Sequence, residues 1–85
     1  MVRVTLLTAD GCHYCERARE VLARLAKEWP LEMQELPIES EVGAAMALRD
    51  GVAFPPAIYL NGQLVGYGRL SEGKLWRRLA ELAAT

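Results

Sequence analysis

Val2-Arg3-Val4-Thr5-Leu6-Leu7-Thr8-Ala9-Asp10-Gly11-Cys12-His13-Tyr14-Cys15 is the stretch on which the reading of this chain turns. Val2 to Leu7 is β-branched and, toward its end, apolar on both faces, the pattern of a central strand covered on two sides. Asp10-Gly11 breaks the run, and two cysteines follow at Cys-x-x-Cys spacing. From Cys15 the period changes. Cys15, Ala18, Leu22, Leu25 and Trp29 recur at alternating spacings of three and four, with Val21 and Ala26 alongside. That stripe predicts a helix from Cys15 to Trp29, with Glu16, Arg17, Arg19, Arg24, Lys27 and Glu28 mostly off it, ended by Pro30.

Further along, Leu31 to Ile38 is a weaker strand pattern. Leu31 and Met33 share one parity while Leu36 and Ile38 share the other, which predicts a bulge or an early exit between them. Ser40 is placed to cap a short helix running to about Asp50, with Glu41 in its positive first turn and Gly51 terminating it. Ala57 to Leu60 is a strand, Asn61-Gly62 a two-residue hairpin signal, and Leu64 to Tyr67 the return strand. Ser71 caps a last helix whose predicted buried stripe is Leu75, Trp76, Leu79 and Leu82. The order β-α-β-α-β-β-α predicts an α/β fold. A strand–helix–strand opening implies a right-handed crossover and a parallel pair, and the hairpin adds antiparallel strands. The expected architecture is one domain over residues 1–85: a four-stranded mixed sheet with helices on both faces.

Composition narrows the possible functions. A formal net charge of −1 argues against a basic groove for nucleic acid. No apolar run approaches membrane-spanning length, so neither nucleic acid nor a membrane is an expected partner. Met1 leads almost directly into strand-like sequence with no secretory pattern, and the expected compartment is the cytoplasm. A cross-link kept only for stability would tend to be reduced there, and one closing so small a loop would restrain little of the unfolded chain. Both points direct the chain's only two cysteines toward chemistry.

A Cys-x-x-Cys at a strand-to-helix junction is a dithiol–disulfide exchange pattern. Cys15 lies on the core-facing stripe and should be the less accessible thiol. Cys12 precedes the helix, where unpaired backbone N–H groups and the positive end of the macrodipole favour thiolate over thiol. These placements make Cys12 the attacking nucleophile and Cys15 the resolving thiol. His13 reads two ways: an imidazolium tuning Cys12 toward its thiolate, or an exposed loop residue tolerated by the turn. Asp10 acts in the opposite sense, because a neighbouring carboxylate disfavours a second negative charge. Tyr14 fits a substrate-contacting surface better than an acid. Two further readings stay open: a metal or iron–sulfur module using Cys12 and Cys15, and a docking module using Tyr14, Tyr67 and the Pro55 edge. Against the first, two thiolates make only half of a tetrahedral site, so no metal is expected.

Phe54-Pro55-Pro56-Ala57-Ile58-Tyr59-Leu60-Asn61-Gly62 is the second informative stretch. A proline directly before an apolar strand cannot donate to the sheet and marks the strand's entrance. It is either a rigid turn or a cis bond holding a backbone edge against the sulfur site. Taken in order, the first strand, Cys12-His13-Tyr14-Cys15, the helices, this proline, the Asn61-Gly62 hairpin and Gly66 resemble the thioredoxin superfamily. Within it the chain is similar to the small glutaredoxin-like proteins, over nearly its whole length.

The resemblance implies a cis bond before Pro56, a loop there packed on the attacking cysteine, and substrate contacts from Tyr14, Pro55, Pro56, Gly66 and Tyr67. It also implies a thiol–disulfide oxidoreductase that reduces disulfide-containing proteins, acts as a monomer and needs no organic cofactor. Electrons would come from a flavoprotein reductase or a low-molecular-weight thiol. Glutathione-dependent deglutathionylation is the alternative within redox chemistry. Departures from the family pattern count against it. Thr8-Ala9-Asp10-Gly11 holds no lysine before the first cysteine, and Gly66-Tyr67-Gly68-Arg69-Leu70-Ser71 lacks the acidic pair that would meet a glutathione amine. Pro55 has no N–H to give a substrate. The buried aspartate that thioredoxins place beneath the resolving cysteine would fall near Leu6. A cytoplasmic setting points the electron flow toward reduction of substrate, while His13 favours the oxidised pair.

Overall fold

The computed structural model describes residues 1–84, and its elements follow the expected order. They are β1 (Val2–Thr8), α1 (His13–Leu25), β2 (Leu31–Pro37), α2 (Glu41–Asp50), β3 (Ala57–Leu60), β4 (Gln63–Tyr67) and α3 (Glu72–Ala83). The four strands form one mixed sheet in the order β2-β1-β3-β4. β1 runs parallel to β2 and antiparallel to β3, and β3 pairs antiparallel with β4.

Helices cover both faces, which explains why β1 and β3 are apolar on both parities. Val4, Leu6, Ile58 and Leu60 point to one side, where they pack with Ala18, Leu22 and Leu25 of α1 and Leu75 and Leu79 of α3. Leu7, Ala57 and Tyr59 point to the other side, against Ala47 and Met46 of α2. Burying a leucine or isoleucine side chain is worth about 2 kcal/mol relative to exposure, so these two layers hold the sheet in place.

Local signals set most boundaries. Ser40 Oγ accepts the Gly43 N–H at 3.0 Å, and Gly51 closes α2 in the left-handed region at φ 70°. Ser71 Oγ accepts the Lys74 N–H at 3.3 Å at the start of α3. Asn61 and Gly62 both have positive φ, 50° and 83°, as a tight hairpin between β3 and β4 requires.

Three expectations are corrected. The first helix does not continue to Trp29. After Leu25 the chain tightens, with Lys27 and Glu28 donating three residues back to Arg24 and Leu25, and Trp29 donating to Leu25. Tightening swings the chain so that the Pro30 carbonyl accepts the Val2 N–H at 3.0 Å and β2 starts beside β1. Ala26 is left exposed, while Trp29 still packs on the core. Nor is there a bulge in β2, whose register with β1 is unbroken from Leu31 to Pro37. Its change of parity reflects the two covered faces: Leu31 packs on the α1–α3 side, Leu36 and Ile38 on the α2 side. The irregularity falls instead between Ile58 and Tyr59 of the β3–β4 pair, where β4 carries one extra residue, Val65. Finally, Trp76 is not buried with Leu75 and Leu79. It is 45% exposed and rests edge-on against Trp29, with ring centroids 5.3 Å apart.

Candidate active site

Topology brings the two informative stretches together. Leu7 pairs with Ala57, and Ala57 pairs with Tyr67. The loop leaving β1 toward Cys12, the Pro55–Pro56 entrance to β3 and the end of β4 therefore lie at one end of the sheet. In α/β sheets the crevice beyond the carboxyl ends of parallel strands is the usual binding position.

Cys12 is the N-cap of α1, with extended backbone (φ −84°, ψ 108°). Its carbonyl accepts the Glu16 N–H at 3.3 Å, and its Sγ accepts the Cys15 N–H at 3.1 Å. The sulfur thus takes the place that a serine or aspartate oxygen takes at most helix starts, facing donors that the helix itself leaves unpaired. Cys15 lies one turn inward and is fully buried, whereas Cys12 is partly exposed. The two are joined as a disulfide with Cα atoms 5.2 Å apart. In the reduced protein the same N–H groups and the helix dipole would face a Cys12 thiolate, which they stabilise.

The remaining site residues divide into three groups around this helix start. His13 and Tyr14, both exposed, line one cleft with Arg17, Arg69 and Leu70. Asp10 lines a second with Thr8, Ala9, Pro37 and Glu39. Pro56, Gly66 and Tyr67 line a third, between β4 and the start of α3. The Pro55–Pro56 bond is cis, and the Pro56 carbonyl accepts the Gly68 N–H at 2.7 Å. Pro55 is half-buried, and Leu6, on the strand beneath the site, is fully buried.

The site contains residues that the sequence pattern did not single out. Phe54 stacks edge-on against Tyr67, with centroids 5.4 Å apart. Gly68 has φ 78° and approaches the Phe54 ring so closely that a Cβ there would sit 2.6 Å from Cε1. Arg17 and Arg69 come to line one cleft only through the fold. Of these, Gly68 alone left a trace in the sequence, as a glycine directly after a strand. Among the described residues no group of three or more His, Cys, Asp or Glu side chains is arranged to hold a metal.

Comparison with known proteins agrees with this geometry. A curated protein of Archaeoglobus fulgidus named "Probable Thioredoxin" is 32% identical over 82 residues, spanning 96% of this chain and 90% of that protein. A single-residue mutant of thioredoxin from Halobacterium salinarum superposes with a TM-score of 0.70 at 23% identity, over 94% of this chain and 73% of the other. A Staphylococcus aureus protein of unknown function gives a TM-score of 0.75 at 14% identity, over 99% of this chain and 93% of the other, a likeness of fold alone. No protein-family model matches the chain.

Proposed function

The chain belongs to the thioredoxin superfamily, as a thiol–disulfide oxidoreductase carrying its electrons on the Cys12–Cys15 pair, and from that premise we propose that it reduces disulfides in proteins. The observation carrying this reading is the placement of Cys12 Sγ at the N-cap, accepting the Cys15 N–H, with Cys15 buried one turn behind it.

In the forward direction the Cys12 thiolate attacks one sulfur of a substrate disulfide. A Cys12–substrate mixed disulfide forms, and the other substrate sulfur leaves as a thiolate that takes a proton from water. Cys15, having lost its own proton, attacks Cys12 Sγ. The mixed disulfide breaks, the second substrate sulfur departs, and the Cys12–Cys15 disulfide closes. Two electrons have moved from the dithiol to the substrate, and an external reductase or small thiol must return them. Leu6 stands about where thioredoxins carry the buried aspartate beneath the resolving cysteine, so water or Asp10 takes the Cys15 proton. The Pro55–Pro56 edge, Tyr14, Gly66 and Tyr67 form the surface against which substrate docks. His13 beside the attacking sulfur and Asp10 on its other flank tune the thiolate in opposite senses. The protein works as a monomer in the cytoplasm, where the surroundings favour the reduced pair.

Trapping tests the assignment. Reduced Cys15→Ser protein should accumulate disulfide-linked substrate through Cys12, and Cys12→Ser should accumulate none. Equal trapping by both variants would remove the distinction between attacking and resolving thiols.

A further inference from the structure

Two of the clefts at the site adjoin at Arg69 and Leu70, which line both. One, of about 440 Å³, runs from His13 and Tyr14 past Arg17 to Arg69 and Leu70. The other, of about 210 Å³, is also lined by Arg69 and Leu70 and runs from Pro56 to Lys74. Arg3, Arg19, Arg24, Arg49 and Arg78 each have a carboxylate partner. Arg17, Arg69 and Lys74 have none among the described residues, nor do Lys27 and Arg77 outside these clefts, and no aspartate or glutamate lines either cleft. On the opposite flank of the Cys12 loop the charge is reversed, with Asp10 and Glu39 lining the cleft there. The chain as a whole carries a formal charge of −1, so this basic stripe is a local arrangement and not a consequence of excess positive charge.

We propose that the groove from Tyr14 through Arg69 to Lys74 receives an acidic peptide segment flanking the substrate's reacting disulfide. The inference rests on the disulfide-reducing function above and specifies its substrate class. Three unpaired cations beside apolar surface from Leu70 favour carboxylate side chains presented on a chain. A small zwitterion would bring an ammonium group for which the groove has no acid. Exposed ion pairs are individually weak, so the groove acts chiefly on encounter rate and on the direction in which substrate lies across Cys12. Its effect is screened by salt.

The test uses the reduced full-length protein and disulfide-linked peptides that differ only in whether the flanking residues are Asp and Glu or Asn and Gln. Second-order rate constants at low salt should favour the acidic peptide by about fivefold, as expected of two or three exposed ion pairs. High salt should reduce that ratio toward one. In Arg17→Glu/Arg69→Glu the ratio should fall below one, and in Arg69→Gln it should be intermediate. Each ratio compares two substrates on one preparation, so losses from folding or chemistry cancel. Equal rates for the two peptides in the wild-type chain, or a ratio unmoved by charge reversal, would overturn the inference and leave the disulfide-reducing function standing. A charge response confined to glutathione disulfide would overturn the assignment to a peptide segment. Failure to reduce any disulfide, an uncharged small one included, would overturn the function itself and this inference with it.

Discussion

Replacing Gly68 with alanine should disturb the protein in two separable ways. Gly68 sits at φ 78°, in the left-handed region where a Cβ costs about 1 kcal/mol. That Cβ would also lie 2.6 Å from Phe54 Cε1 and 3.2 Å from Cζ. Phe54 is 54% exposed, so its ring can swing away; the loss is then bounded by its edge-on contact with Tyr67. Such a contact is worth about 1 kcal/mol. Gly62 supplies the control, with φ 83° and open space around its Cβ position. Both substitutions also stiffen the unfolded chain, returning about 0.5 kcal/mol in each case. Gly62→Ala should therefore cost about 0.5 kcal/mol and Gly68→Ala about 1.5 kcal/mol, a gap worth about 5 °C in Tm for a domain of this size. Urea unfolding followed by circular dichroism reads both. In a Phe54→Ala background the excess cost of Gly68→Ala should vanish. Equal costs for the two glycines, or an excess that survives removal of Phe54, would refute this reading of the loop.

Other consequences follow from the core and the caps. Leu79 is fully buried between α3 and the sheet, and Leu79→Ala should cost about 3 kcal/mol in equilibrium unfolding. Ser71→Ala removes the acceptor for the Lys74 N–H and should cost about 1 kcal/mol by the same measurement. Tyr59 is fully buried and its hydroxyl donates to the Met46 carbonyl; burial first, then the neighbouring Asp50 carboxylate, pushes its phenol up to about 12 from 10.0. With the folded-state value raised, the native form holds its proton longer than the unfolded one. Stability should be full below the unfolded value and fall as pH rises toward the folded one. Tyr59→Phe should flatten that alkaline slope, and ultraviolet titration of the phenols should lose its latest component.

Local chemistry explains what the sequence made legible. Ser40 and Ser71 act through a hydroxyl on a backbone N–H three residues on, Gly51 and Asn61-Gly62 through their own backbone, and each sits where its type required. The double-sided apolar runs of β1 and β3 announced a sheet covered on both faces. The end of α1 was not legible, because it is set by a distant pairing: the Pro30 carbonyl must reach the Val2 N–H. The parity change in β2 was visible but admitted two causes, and only the sheet order shows that it records two cores. Trp76 carries the helical period of a buried residue yet packs sideways on Trp29, a contact that periodicity does not encode. Within the site, Cys12 and Cys15 could be placed by their spacing and by the helical stripe. The basic groove could not, since Arg17 is far in sequence from Arg69 and Lys74 and is brought to them by the packing of α1 beside the β4–α3 loop.

The exchange mechanism depends above all on Cys12 being an ionised, accessible sulfur while Cys15 is shielded. Alkylation of the reduced protein across pH, with the modified cysteines located by peptide mapping, tests this directly. Cys12 should react first, with a midpoint below the value of about 8.5 for a free thiol, and Cys15 should react slowly until the protein unfolds. Two cysteines reacting at the same rate, each with the midpoint of a free thiol, would contradict it.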